Sequence, residues 1–423
     1  VIPALRHDFN ARFRPETFRA MLHALDATAR THVGFPVAET PCFFPQSLLD
    51  EISQIGIALT LQLVNDPAYL SRSLAAIPES WRAANQTAHP HFLTADFGLV
   101  REASGQISPR LVEMQAFPSV FGFQFALSEA YRAAFSLDPS LRYLFGGIDQ
   151  AQFWGLLDQT IVAGHDPETV VLIDVDPAHQ KTLPDFNLTA DRLGIRIVDI
   201  ACLEPMPPKS APAPNSSGQL RRLGYRDGSR LIPIRRIYNR AIVDELVRKQ
   251  IPLRFDYREP FDLEWAGHPN WYFHVSKFSI PFLAHPAVPP AFFLADLYRD
   301  ANLRDQFEAD RNAWILKPLF SFAGQGILFA PTDADLAAIP PAQRPNYLLQ
   351  ERVTFVPVID TPFGPTQAEI RILYVWPDGA ALTPLLSLVR LGRGKMMGVD
   401  HNQGQSWVGA SAALYSAQTF IPK

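Results

Sequence analysis

The stretch RNAWILKPLFSFAGQGILFA, residues 311–330, limits what this chain can fold into more than any other. Two short apolar runs, 314–316 and 327–329, flank a loop carrying Gly324 and Gly326, which reads as a β-hairpin. Lys317 stands at the end of the first run, held by the strand beside that loop. Glycines let backbone N–H groups approach phosphate oxygens, and a lysine supplies a point charge, so the arrangement suits a polyphosphate. Taken alone, it also fits a surface hairpin with a solvated lysine.

The chain's 423 residues leave room for two or three domains, and 47% hydrophobic with 19% charged residues is the balance of a globular protein. A net charge of −4 and a pI near 6.3 provide no basic field, so neither nucleic acid nor a membrane surface is expected as a partner. Cys42 and Cys202 are the only cysteines and neither has zinc-ligand spacing, which argues against a disulfide scaffold and a structural zinc site. No run approaches 18 uninterrupted apolar residues and residues 1–16 lack a signal peptide's apolar core, so a cytoplasmic, reduced protein is expected. The 30 phenylalanines predict a large aromatic core.

Residues 1–90 read as mostly helical, with Leu48, Leu49, Ile52, Ile55, Leu59 and Leu63 spaced along one face. From residue 91 the pattern changes. Two alternating runs, 92–100 and 107–115, flank Ser104-Gly105 and predict a hairpin followed by a helix. Glu113 and Gln115 are two apart and share a face, with Asp96 placed to lie opposite them. Three such oxygen-bearing side chains suit magnesium bound with nucleotide phosphates, although a solvated polar face gives the same pattern.

Residues 169–200 predict a parallel βαβ unit with its helix ending at Gly194. No GxGxxG follows its first strand, so dinucleotide binding is not supported. Asp174 and Asp176 at the strand end suit either a substrate amine or helix capping. Residues 204–218, rich in Pro, Ser and Ala, read as an exposed linker. Residues 235–249 return to helical spacing, and their charges read as a solvated helix face, although Arg236 and Arg240 lie on one side where an anion is within reach. Lys277 sits in the aromatic stretch HPNWYFHVSKFSIPFLAHP, where a lysine either snorkels to solvent or pairs with an anion. Residues 346–360 read as a strand that runs into an extended segment; beyond them a strand, a Pro-Asp-Gly turn and a returning strand place Arg371 and Arg390 on neighbours, followed by a loop rich in Gly, His and Asn. GRGKMMG fits neither phosphate-loop spacing, and no GxSxG or HExxH occurs.

Together these segments resemble the ATP-grasp superfamily, in which a nucleotide lies between two α+β subdomains beneath a glycine-rich hairpin loop. LKPLFSFAGQGI resembles the lysine strand and covering loop, LLQERV the hinge that meets the adenine, and EIRILYVW with LVR the arginine-bearing strands. The Glu-x-Asn element that usually follows lies far upstream instead, where VEMQAFPS resembles it. That is the circularly permuted order of glutathionylspermidine synthase and eukaryotic-type glutathione synthetase; ADFGLV and VSKFSIPFL resemble further segments of the former.

The resemblance implies an α/β fold of α+β ATP-grasp type: residues 1–150 a helical segment plus the metal-binding hairpin, 151–212 a Rossmann-like substrate subdomain, and 213–423 the nucleotide-binding core. It implies magnesium on Asp96, Glu113 and Gln115. It implies ATP on Lys277, Lys317, the covering loop Gly324, Gln325 and Gly326, and the hinge residues Gln350, Glu351 and Val353. Arg390, with Arg371 as a second candidate, would stabilise charge on an acyl phosphate and on the tetrahedral species formed from it. The expected activity is ATP-dependent joining of a small-molecule carboxylate to an amine. Two departures, Thr94 in place of an arginine and Gln115 in place of asparagine, leave open a protein that binds nucleotide or a partner without ligating. Phosphotransfer to another acceptor is a third possibility. Specificity is expected from residues 151–270 and from the 392–411 loop, with His401 and Asn402 as candidates.

Overall fold

The computed structural model describes residues 1–207, 220–321, 324–398, 402 and 404–416; His401 lies outside them. The fold is mixed α/β, with four sheets among the described residues. The largest draws on three distant parts of the chain: Cys42–Pro45 (β1), the hairpin Phe92–Arg101 (β2) and Ile107–Gln115 (β3), and Gln367–Val375 (β15), Thr383–Gly392 (β16) and Gly409–Ser416 (β17). Its order is β1-β17-β16-β15-β2-β3, antiparallel except for the β1–β17 pair. The 92–115 hairpin thus forms as its alternation predicts, with Gly105 supplying a φ of 87° at the turn.

The helix Gln46–Val64 is long and apolar enough to cross a membrane by length and composition alone, yet Leu49, Ile52, Ile55 and Leu59 are buried in the core beside the large sheet. Gly56 is required for that packing, because a Cβ there would stand 2.0 Å from the Tyr374 hydroxyl. The surplus phenylalanine serves the core as well. Phe9 and Phe135 lie 4.8 Å apart between ring centroids, and Phe13 and Trp407 4.7 Å.

The predicted βαβ unit is present as Val170–Asp174 (β4), the helix Leu183–Leu193 capped by left-handed Gly194, and the parallel strand Arg196–Asp199 (β5). Glu204–Pro205 (β6), Leu223–Asp227 (β7) and Arg230–Pro233 (β8) form a small antiparallel sheet. The helical reading of residues 235–249 is corrected. Arg236–Asn239 (β9) is a strand, and only Val243–Arg248 is helical. With Glu264–Ala266 (β10), β9 completes a parallel sheet of order β10-β9-β4-β5, so that sheet takes strands from beyond residue 212. Its arginines do not form a solvated face: Arg236 and Arg240 are 2% and 5% exposed.

The lysine hairpin forms Trp314–Pro318 (β12) and Leu328–Phe329 (β13), in a sheet with Tyr347–Glu351 (β14) and Ala291–Phe293 (β11). The chain leaving β14 crosses onto the large sheet, where Val356 N–H donates to the Leu99 carbonyl at 2.8 Å. Gly98 makes room for that crossing, since a Cβ there would meet Phe355 at 2.6 Å and Val353 at 2.8 Å.

Candidate active site

The site begins with the register of the large sheet. Asp96 lies opposite Glu113 on β3 and opposite Arg371 on β15; Thr94 lies opposite Gln115, and Glu369 opposite Arg390. Side chains alternate along strands, so these seven residues share one face. On that face four of them form an ionic group whose carboxylates are buried and whose arginines are partly exposed. Asp96, 1% exposed, accepts hydrogen bonds at 2.6 Å from both Nε and Nη2 of Arg371 and a third from Arg390, which is also ion-paired with Glu369. Burial alone would raise the Asp96 carboxyl, but the two guanidiniums outweigh it and hold the pKa below the usual range. Glu369 goes the other way. Burial pushes it up to about 7 against the pull of Arg390, while the Asp96 charge adds to the rise.

Glu113 lies beside this group, its Oε1 accepting from Gln115 at 2.8 Å and standing 3.8 Å from Arg371. Two lysines close over it from other elements. Lys317 on β12 donates to Gln350 Oε1 on β14 at 2.7 Å and to the Val112 carbonyl at 3.4 Å. Lys277 follows Ser276, whose hydroxyl caps the next turn, and donates to the Ser321 carbonyl at 2.6 Å, with Glu113 3.9 Å away. Burial lowers Lys317 to about 8; Glu113 opposes the fall and Lys277 adds to it.

These side chains surround a cavity of about 420 Å³ between the large sheet and the lysine hairpin. Of the residues singled out in sequence, Glu113, Gln115, Lys277, Lys317, Gly324, Gln350, Val353, Arg371 and Arg390 line it. Asp96, Gln325, Gly326 and Glu351 do not. Asp96 lies beneath the arginines, and the Glu351 N–H is spent on the Pro290 carbonyl at 2.8 Å. Gly324 and Gly326 both have φ of 72°, and a Cβ on Gly326 would press on Pro318 at 2.8 Å. Asn402, a specificity candidate, is buried and donates to the Met396 and Gly398 carbonyls, which shapes the loop without lining the cavity.

Sequence reasoning missed Glu369 and misplaced Arg240, which both line the cavity. Glu369 has a signal, two residues before Arg371 and therefore on its face. Arg240 directly follows a parallel strand, at the carboxyl end where such sheets bind ligands. It pairs with Asp185 at 3.2 Å and donates to the Ser119 carbonyl, while its Nε has no hydrogen-bond partner in the structure. Asp174 bonds the neighbouring Val175 N–H, and Asp176 binds His179; neither lines the cavity.

A larger cavity of about 640 Å³ lies at the edge of the parallel sheet. Its charged groups satisfy one another: Arg236–Glu264 at 2.5 Å, Arg235–Asp262 at 2.9 Å and His165–Glu264 at 3.1 Å. The smaller cavity is lined by Arg240, Lys277, Lys317, Arg352, Arg371, Arg390 and Lys395 and has Glu113 and Glu369 on its wall with Asp96 and Asp185 behind it, a cationic surplus that suits an anionic ligand.

No protein-family model matches the chain and no curated protein is similar to it in sequence. Among solved structures it is similar to a glutathione synthetase-like effector from Globodera pallida, determined in its apo form, with a TM-score of 0.56 and 13% identity over 95% of this chain and 97% of that one. At that identity the likeness is one of fold.

Proposed function

We propose that the protein is an ATP-dependent carboxylate–amine ligase of ATP-grasp type, its motifs in the permuted order of glutathionylspermidine synthase and eukaryotic-type glutathione synthetase. The observation that carries this reading is the convergence of Lys277, Lys317, Arg371, Arg390 and Glu113, from distant parts of the chain, on one cavity beside the glycine loop. The fold it shares with a glutathione synthetase-like effector supports the same class.

The residues fit the ligands this reading requires. Four cations suit a triphosphate, and the apolar Ile315, Ile327, Phe329 and Val353 suit a purine. Among the described residues no cluster of three or more His, Cys, Asp or Glu is arranged to hold a metal alone. Magnesium, however, is commonly bound by one or two carboxylates with water and phosphate oxygens completing its shell, and Glu113 beside Gln115 fits that role. Bound there, it would supply neutralisation of phosphate charge.

In the proposed reaction a substrate carboxylate oxygen attacks the γ-phosphorus of ATP, ADP leaves, and an acyl phosphate forms. The amine nitrogen then attacks the acyl carbon, and inorganic phosphate and a proton depart. Lys277 and Lys317 hold the phosphates, and Arg371 and Arg390 face the charge that develops during transfer. Lys277 also ties down the Ser321 carbonyl at the start of the covering loop, whose closure would keep water from the acyl phosphate. Arg240, which also lines the cavity, fits a second anionic group on the acid.

Thr94, buried where the family has an arginine, favours a second reading, nucleotide binding without ligation. One experiment separates them: ATP, magnesium and a panel of carboxylic acids with hydroxylamine, for wild type beside Lys317→Ala. ATP-dependent hydroxamate from wild type alone is the expected outcome. A thermal shift with magnesium–ATP but no ADP from any acid would favour binding without ligation, and no shift at all would sink both.

A further inference from the structure

We propose that Asp96 is a positioning residue that fixes the two arginines of the site, and that divalent-cation binding falls to Glu113 without it. The inference rests on the nucleotide reading above and departs from the metal set implied by family resemblance. Three observations carry it. Both oxygens of Asp96 are committed: Oδ1 accepts from Arg371 Nε and Oδ2 from Arg371 Nη2, each at 2.6 Å, and Oδ2 also accepts from Arg390. A bidentate fork of this kind fixes the guanidinium plane as well as its place. Second, Asp96 is 1% exposed and does not line the cavity, whereas Glu113, with a side chain 19% exposed, does. Third, both guanidiniums are already paired with carboxylates, Arg371 with Asp96 and Arg390 with Asp96 and Glu369. A dication on Asp96 would have to displace a guanidinium or lie against two of them.

The arrangement has a purpose in the proposed chemistry. Arginine side chains are long and flexible, and a rate that depends on where positive charge meets a transferring phosphoryl group depends on holding them still. Asp96 sits one residue-pair across the sheet from Glu113. The same ribbon therefore presents one carboxylate to the arginines and the other to the cavity.

The test is Mn²⁺ binding by electron paramagnetic resonance, with the non-hydrolysable analogue AMP-PNP, for wild type, Asp96→Asn, Arg371→Lys and Glu113→Gln. Glu113→Gln should weaken Mn²⁺ by at least the roughly tenfold that losing even an outer-shell partner of a metal ligand costs, while the other two hold it within about threefold. A loss in Asp96→Asn equal to that in Glu113→Gln overturns the proposal. So does tighter Mn²⁺ binding in Arg371→Lys, where Asp96 is released from the fork. Should Asp96→Asn fail to fold, Arg371→Lys, which keeps a cation in place, decides. Hydroxamate formation adds a readout that a purely stabilising role would leave alone: Asp96→Asn and Arg371→Lys should lose on the order of tenfold or more in kcat, with the KM for ATP little changed. An unchanged kcat overturns positioning. Wild type that binds no Mn²⁺ with AMP-PNP would end the nucleotide reading instead. Melting temperatures would then decide for Asp96, which must cost more than Glu113 when neutralised; an equal loss overturns the proposal.

Discussion

The two cavities are built from the same residue types and differ in how the charges are used. In the larger one, Arg235 and Arg236 are matched by Asp262 and Glu264, and the cavity asks for no ligand charge. In the smaller one, Asp96 and Glu369 are consumed by two arginines, and Lys277 and Lys317 find carbonyl and amide oxygens as their closest partners. Arginine–carboxylate pairs therefore do not by themselves mark a site. What marks it is cationic charge kept buried without full neutralisation, which lowers stability in the absence of ligand.

The contrast can be broken most strongly at Arg236. Arg236→Met leaves the Thr160 and Ile161 carbonyls without their donors and breaks the bond to the exposed Glu264, and should cost about 3 kcal/mol in denaturant unfolding while leaving the magnesium–ATP thermal shift intact. Lys317→Met should do the reverse. The ligand stabilisation of about 2.7 kcal/mol expected at a hundredfold excess over Kd disappears, and the free protein gains about 1 kcal/mol by losing a buried charge. Loss of stability in free Lys317→Met would contradict the account of that cavity.

A pH series sharpens the same point. Burial holds the Lys317 pKa down to about 8 in the folded protein, against 10.5 for the free side chain. The unfolded chain therefore binds more protons between those values, and stability should climb as pH rises from about 8 to 10.5. The gain, on the order of 3 kcal/mol, is read as the difference between wild type and Lys317→Met across that window. The smallest effect belongs to exposed pairs. Arg221→Ala, which breaks the 2.6 Å bridge to Glu259, should change stability by less than about 0.5 kcal/mol and nucleotide binding not at all.

Much of this face was legible before the structure. Alternation and the Ser104-Gly105 turn define the 92–115 hairpin and set Glu113 and Gln115 on one side, but Asp96 joins them only through a one-residue register shift between Asp96 and Phe97, which spacing from the turn does not reveal. Local pattern could not show which oxygen meets which cation, because Asp96 and Arg371 are 275 residues apart and their pairing is decided by sheet order. The same limit explains β9. RRIYNR carries arginines four apart, as an exposed helix would, and only the neighbouring strands β4 and β10 make it a buried strand. Strand β17, GASAALYS, lacks the branched residues that advertise a strand; its small side chains suit a place between β1 and β16 with both faces buried.

The order β1-β17-β16-β15-β2-β3 has a consequence for how the chain is made. β2 pairs on one side with β3, its immediate successor, and on the other with β15, which begins at residue 367. During synthesis from the ribosome the hairpin would therefore present an open apolar edge while some 250 residues are still to come. At about 5–20 residues per second that is an interval of tens of seconds, long enough for a chaperone, or another nascent copy, to find the edge first.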